Sequence, residues 1–531
     1  MKPYHSIAAI FLLYNLLSQS RIFSNELPIG LTEEEKNNIH LIYEMGRDTE
    51  PPIAPVRNIA EYERMSGVLI RYPFGISLDI IRELSEGVTV YCLVSASQQN
   101  SAFNSIGAAN INMNNIQFIV GPTDSYWTRD YGPWWVVNGN GDVSVVDFTY
   151  DRPRPNDNDA PFKVSEFLDV PYYSVDIVHT GGNYMTDGYG ISASSDLVYE
   201  ENNWSNDALD SLMGLYYGVN TYHVLADPNN TYIDHIDCWG KYLSPTKVLI
   251  REVPASHPQY NEIESVATYF SESLNTWGFP WEVFRVWTPN DQPYTNSLIV
   301  NDKVLVPIMN NAWDDEALEV YQTALAGYEV IGVTGTWEST DALHCRVKGI
   351  PDLEMLQLFH MPLRDTVSAS NTLGYDLELV VDDLSGAGII DDSVQVFWKN
   401  DNMQHYNVNS LYRSDILEEI NTYRGSIPVQ AFGTMINYFL RAADSSGRVE
   451  SNPIAGHHSF YGVPTDACNS WELGDMNNSG QLEIYDILIL ADLIVNNNNF
   501  GVCSESVADI NEDGVLSIID IVTLVSLVAS Q

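Results

Sequence analysis

Short apolar runs alternate with longer amphipathic stretches through residues 44–360. Ser66–Arg71, Ile116–Val120, Val143–Phe148 and Lys303–Pro307 have the length and β-branched content of strands. Leu78–Leu84, Asn261–Thr276 and Asp314–Ala326 carry helical periodicity. This mixture predicts an α/β region without a dinucleotide or P-loop fingerprint. From 364 to 463 the pattern becomes strict alternation, as in Asp376–Val381, Ser393–Trp398 and Ile436–Asp444, which predicts a small Ig-like β-sandwich.

Residues 466–531 contain a repeat at an offset of 34, in which Asp475–Asp486 aligns with Asp509–Asp520, and each copy runs into an apolar helical stretch. The loops read as calcium sites, with Asp475, Asn477, Ser479, Gln481 and Asp486 in the first and Asp509, Asn511, Asp513, Val515 and Asp520 in the second. Oxygen donors fall at positions 1, 3 and 5, a glycine at 6 and a carboxylate at 12, where Asp stands for the usual Glu. The tail has eleven acidic residues from 465 onward and no Lys or Arg, so two structural Ca2+ ions are expected to screen it. It resembles a dockerin type I module, which implies a cohesin or cell-surface partner.

Net charge sharpens the exclusions. With 71 acidic against 25 basic residues the chain carries −46, which disfavours nucleic acid and anionic membranes as partners. Residues 1–24 read as a Sec signal peptide: Lys2 precedes the apolar stretch Ile7–Leu17, which is too short to span a membrane. A secreted or cell-surface protein is therefore expected. Of the five cysteines, Cys468 and Cys503 are the natural disulfide pair, whereas Cys92 and Cys238 sit in apolar strands as buried thiols.

The fifth, Cys345, lies in Asp341-Ala-Leu-His-Cys345-Arg346. Two earlier segments, Tyr126-Trp127-Thr-Arg-Asp130 and Tyr232-Ile-Asp-His235-Ile-Asp237, add an imidazole and two carboxylates. His235 and Asp237 are two apart in a segment of β character, so they are expected on one face. Carboxylates can hold a guanidinium while a thiolate adds to its central carbon and a histidine moves protons. The spacing of Cys238 and His223 around His235 does not suit zinc, and the glycine-rich cysteine motif of papain-like enzymes is absent.

Read in order, Trp127-Thr-Arg-Asp130-Tyr-Gly, Tyr150-Asp-Arg152-Pro-Arg154-Pro, Gly181-Gly-Asn183, His235-Ile-Asp237, Tyr294-Thr-Asn296 and Asp341-Ala-Leu-His-Cys345 resemble bacterial peptidylarginine deiminases. These belong to the agmatine-deiminase-like, guanidino-modifying pentein superfamily. The resemblance implies a five-fold α/β propeller over 44–360, with no cofactor for catalysis. It implies Cys345 as nucleophile, His235 as general acid/base, Asp130 and Asp237 as the guanidinium clamp and Asn296 as a support beside the thiol. Trp127 and Tyr232 would line the side-chain slot. Gly181–Asn183 reads as a structural turn or a part of the pocket wall, with the turn preferred.

Arg152 and Arg154 bear on the substrate, because in the family this element reads the free carboxylate of a C-terminal arginine. The expected activity is conversion of peptidyl arginine, preferably C-terminal, to citrulline and ammonia through a covalent thiouronium. Agmatine or free-arginine deimination is the alternative enzyme reading. A calcium-dependent surface-binding protein with an inactive deiminase domain is the non-enzymatic one.

Overall fold

A computed structural model describes residues 27–370, 374–416, 419–464, 471–496, 503–504, 507–511 and 515–530. The signal-peptide reading, Cys468 and Asp513 fall outside these. The chain divides into two compact units at Leu353/Glu354.

The first unit is built from five sheets that share one strand order. In each, a strand pairs antiparallel with the next and that one pairs parallel with a third. The triplets are Trp134–Val137, Val143–Tyr150, Tyr172–His179; Met185–Thr186, Ile191–Ser195, Thr221–Leu225; and Gly240–Ser244, Lys247–Glu252, Glu282–Trp287. The remaining two are Leu298–Val300, Lys303–Ile308, Glu329–Thr334 and Lys348–Pro351, Met65–Arg71, Thr89–Val94. A helix bridges every parallel pair, in chain order Leu78–Gly87, Ala160–Leu168, Asn206–Tyr217, Tyr260–Glu272 and Asp314–Ala324. The last sheet joins the two ends of the unit, since Lys348–Pro351 pairs with Met65–Arg71.

Central strands are buried along their length because both of their faces are covered, as in Val143–Tyr150, where every residue is buried. Their helices cover one face with periodic side chains: Ile80, Ile81 and Leu84 point inward from Leu78–Gly87, whose start is capped by the Ser77 hydroxyl accepting the Ile80 N–H. Asn206–Tyr217 ends at Gly218, whose φ of +70° and close approach to the Val56 carbonyl exclude any side chain.

The second unit begins with two β-sheets around one core that includes Tyr375, Leu379, Trp398, Tyr423, Tyr438 and Phe460. Leu356–Phe359, which the sequence pattern groups with the catalytic region, pairs instead with Val380–Asp383 of this unit. Further along, helices Ile484–Asn496 and Ile518–Ala529 share a small core with Met476, Leu490 and Leu524. Cys503 is disulfide-bonded, while Cys92, Cys238 and Cys345 are free.

The calcium reading gains no support. Among the described residues no three His, Cys, Asp or Glu side chains converge as a metal site. Asp475 accepts from the Ser479 and Gly480 N–H groups, and Asp486 from those of Asn477 and Glu483, so the loop's backbone already uses these carboxylates. Among the described residues of the tail, nothing supports the dockerin reading. Among the described residues no helix is long and apolar enough to cross a membrane.

Candidate active site

Four of the short turns that lead into strands carry the candidate chemistry. They are Thr128–Tyr131, Gly181–Asn183, Ile236–Cys238 and His344–Arg346, each followed within a few residues by the first strand of a sheet. A strand start projects its preceding turn past the sheet edge, so the recurring architecture aims these turns at one another. The segment around His235 and Asp237 is thus a 3-10 turn rather than a strand. Its Ile236 N–H is taken by Asn183 Oδ1 at 3.2 Å, and the Cys238 N–H by the His235 carbonyl at 3.1 Å.

Cys345 is held by Asn296. The Asn296 Oδ1 accepts from the His344 N–H at 2.9 Å, and its Nδ2 lies 3.2 Å from Cys345 Sγ. The following residue is fixed as well: Arg346 makes a two-point ion pair with Asp341 at 2.9 and 2.7 Å, between the Tyr126 and Trp337 rings. From this turn the thiol points to Asp237, with Sγ 3.8 Å from Oδ2.

His235 Nδ1 is 3.8 Å from Asp130 Oδ1, and among the described residues neither His235 nitrogen nor that oxygen has a hydrogen-bond partner. All are buried, and a buried unpartnered polar group costs about 1–3 kcal/mol. Such a deficit in one place marks a site shaped for a polar ligand. Gly182 shows how tightly the groups converge. A methyl at its Cα would stand 2.6 Å from Asp130 Oδ1, 2.6 Å from His235 Nδ1 and 3.3 Å from Asp237 Oδ2. The Gly181–Asn183 turn is therefore a wall of the site as well as a turn.

The charges are set unequally. Burial, then Asp237 and Asp151, push the Asp130 carboxyl well above the usual range. For Asp237, burial acts upward, but the hydrogen bond and charge of His344 outweigh it and hold the group low. Burial pushes His235 down to about 3, so its imidazole is neutral at ordinary pH. Burial and the two carboxylates raise the Cys345 thiol well above its normal value. A cation entering between Asp130 and Asp237 would reverse the last effect and favour the thiolate.

Behind the site lies a buried ionic cluster whose pairing the sequence motifs do not reveal. His344 donates from one ring nitrogen toward Asp237 at 2.7 Å and faces Glu61 with the other at 2.6 Å. Glu61 also meets Arg129 at 2.7 Å and Lys241 at 2.8 Å. Burial alone would raise the Glu61 carboxyl, yet His344, Lys241 and Arg129 hold it well below its usual range. His344 stands inside the cysteine motif, and its two carboxylate partners are the signal of its role. Lys241 closes the motif that begins at His235, whereas Glu61 reads as an ordinary charged position.

Trp127 is buried against Cys345, Ile29 and Ile233. Tyr232 is placed differently from the expected slot lining: it is 70% exposed, with its ring against Gly30. Its neighbour Ile233 takes the inward position, buried in the same cluster as Trp127 and Cys345. Arg152 and Arg154 are buried beside the site and are already engaged. Arg152 pairs with Asp151 and donates to the Ile29 carbonyl at 3.1 Å. Arg154 reaches Glu35 at 2.7 Å and the Pro28 and Gly30 carbonyls at 2.8 and 3.1 Å, with its guanidinium 5.5 Å from the Trp127 ring.

An enclosed thiol, imidazole and carboxylate pair on an α/β scaffold defines a site for a cationic amidine carbon. The chain belongs to the Porphyromonas-type peptidyl-arginine deiminase family, whose sequence profile matches residues 75–351. It is accordingly an enzyme of the class that hydrolyses C–N bonds of linear amidines. The agmatine deiminase of Pseudomonas savastanoi pv. phaseolicola is 25% identical over 295 residues, covering 47% of this chain and 78% of that protein. That of Pseudomonas syringae pv. syringae is 25% identical over 297 residues, with 47% and 78% covered. The solved agmatine deiminase of Enterococcus faecalis superposes with a TM-score of 0.51 at 20% identity, spanning 58% of this chain and 99% of its own. The structural likeness establishes the shared α/β fold, and the second unit lies beyond the family match.

Proposed function

We propose that the protein is an exported deiminase of peptidyl arginine, acting on a guanidinium held between Asp130 and Asp237, in a five-bladed propeller. The repeated strand order of the five sheets supports the propeller reading. Cationic substrate charge lowers the thiol's proton affinity, and the Cys345 proton passes to His235. The thiolate forms a C–S bond to the guanidinium carbon. The C–N bond to one amino group then breaks, and that nitrogen leaves as ammonia with the proton from His235. Water adds to the resulting thiouronium as His235 takes one of its protons; the C–S bond then breaks, and the remaining hydroxyl proton passes to the departing sulfur, giving citrulline and the free thiol.

One observation carries the peptide reading over a smaller substrate: Arg152 and Arg154, beside the enclosure, bind main-chain carbonyls and a carboxylate. Agmatine offers neither group. The relatives named agmatine deiminases favour agmatine as the second reading. Citrulline release from a peptide ending in arginine, compared with its amide, and ureido product from agmatine, separate the two, with Cys345→Ala as control. Preference for the free C-terminal arginine supports the proposal, and preference for agmatine refutes it.

A further inference from the structure

The groups that would greet a peptide at this site are occupied by the chain itself. Ile29 is buried in one apolar cluster with Trp127, Ile233 and Cys345, with Leu27 packed against it. Gly30 lies so close to the Tyr232 ring that a methyl there would come within 2.7 Å of it. The carbonyls of Pro28, Ile29 and Gly30 take N–H groups of Arg154 and Arg152. Glu35 adds a carboxylate to Arg154 at 2.7 and 3.3 Å. A capping box poises that carboxylate: Thr32 N–H donates to Glu35 Oε2 at 2.7 Å, and the Thr32 hydroxyl accepts from Glu35 N–H at 3.2 Å. Cys345 is 0% exposed beneath this cover.

We infer that residues 27–35 are a tethered occupant of a peptide-binding mouth, with three main-chain carbonyls and the Glu35 carboxylate in the places a substrate peptide would take. Ile29, which packs in the same cluster as the thiol, has no guanidinium, so the strap fills the mouth without being a substrate. The mouth thus accepts an extended peptide carrying a carboxylate, and access to Cys345 requires the strap to leave. The identity of that competing ligand rests on the peptidyl-arginine reading; the covering of the thiol does not. Intramolecular tethering gives the strap a high effective concentration, so a free peptide competes poorly until the tether is cut or weakened.

The test uses the full chain with a protease site inserted between Asn37 and Asn38, cut after folding, with the released segment removed by gel filtration. Glu35→Ala in the uncut chain is the second variant. The first readout is alkylation of Cys345 by 2-chloroacetamidine, which forms a C–S bond with loss of chloride and of the thiol proton; Cys345→Ala sets the background. The second is citrulline from a peptide ending in arginine. Cutting should accelerate alkylation on the order of tenfold or more. Glu35→Ala should accelerate it less, and the synthetic peptide of residues 27–36 should slow it again. Unchanged alkylation after removal of the strap overturns the inference, even if citrulline forms. Faster alkylation with no citrulline from that peptide keeps the strap and refutes the peptidyl-arginine reading.

Discussion

Gly182 is conformationally ordinary, so only space forbids a side chain there. Gly182→Ala should leave the fold intact by circular dichroism while displacing Asp130 or His235, each 2.6 Å from the added methyl. A displacement of that size at reacting groups predicts a loss of roughly 100-fold in kcat/KM. Asp130 makes a different prediction, because burial and the neighbouring acids Asp237 and Asp151 push its carboxyl well above the usual range, and a bound cation opposes that shift. Binding a guanidinium to Cys345→Ala should therefore be accompanied by proton release that grows as pH falls below neutrality, measured by calorimetry in buffers of different ionisation enthalpy. Asp130→Asn in the same background should abolish that release. Cys345, His235, Asp130 and Asp237 were legible in the sequence because a thiol, an imidazole and acids in those local motifs suit one chemistry. For Gly181–Asn183 both a turn and a pocket wall were readable, but the tight fit around Gly182 was not, since a missing side chain carries no signal until its neighbours are placed.

Turns, more than strands or helices, are the working elements. The four that converge are short, and side chains from elsewhere pin them: Asn183 holds the Ile236 N–H, Asn296 holds the His344 N–H, and Thr295 donates to the Asp237 carbonyl at 3.2 Å. Alternation suggested a strand for His235 and Asp237, but the sequence could not reveal that Asn183 takes a backbone donor a strand would need. Glu61 is the comparable pin for charge, meeting His344, Arg129 and Lys241 in a buried setting. Glu61→Gln leaves Arg129 and Lys241 without their shared carboxylate and should cost about 3 kcal/mol of stability by denaturant unfolding. The fork Arg152–Arg154 was readable as a carboxylate-binding pair. Its capture by Pro28, Ile29, Gly30 and Glu35 was not, because those contacts join residues 119 or more positions apart.

Across the whole molecule, the division at Leu353/Glu354 lets pH act on the second unit through its own groups. Burial holds His360 down to about 4, with its ring between the Glu378 carbonyl and the Tyr438 hydroxyl. Unfolded, the same imidazole titrates near its ordinary value of about 6.5 and binds the proton that the folded form refuses. Stability is therefore highest above about 6.5 and falls as pH drops toward 4, by about 3 kcal/mol in total. Urea titration at several pH values, read by pulse deuterium labelling at one pH in Gly374–Asp383 and Thr434–Ala443, checks this. The succession of strands and helices was visible in the apolar pattern, but its five-times-repeated strand order was not, because pairing partners such as Met65–Arg71 and Lys348–Pro351 lie at opposite ends of the first unit.

That pairing has a consequence for synthesis. Cys345 directly precedes the strand that returns to Met65–Arg71, so a nascent chain exposes the nucleophile to its pocket only after nearly all of the first unit has left the ribosome. Truncated products ending before residue 351 would lack the strand that seats the thiol. Chemical competence would thus arrive as one of the last events in the birth of this unit, sparing the cell a reactive, half-made enzyme.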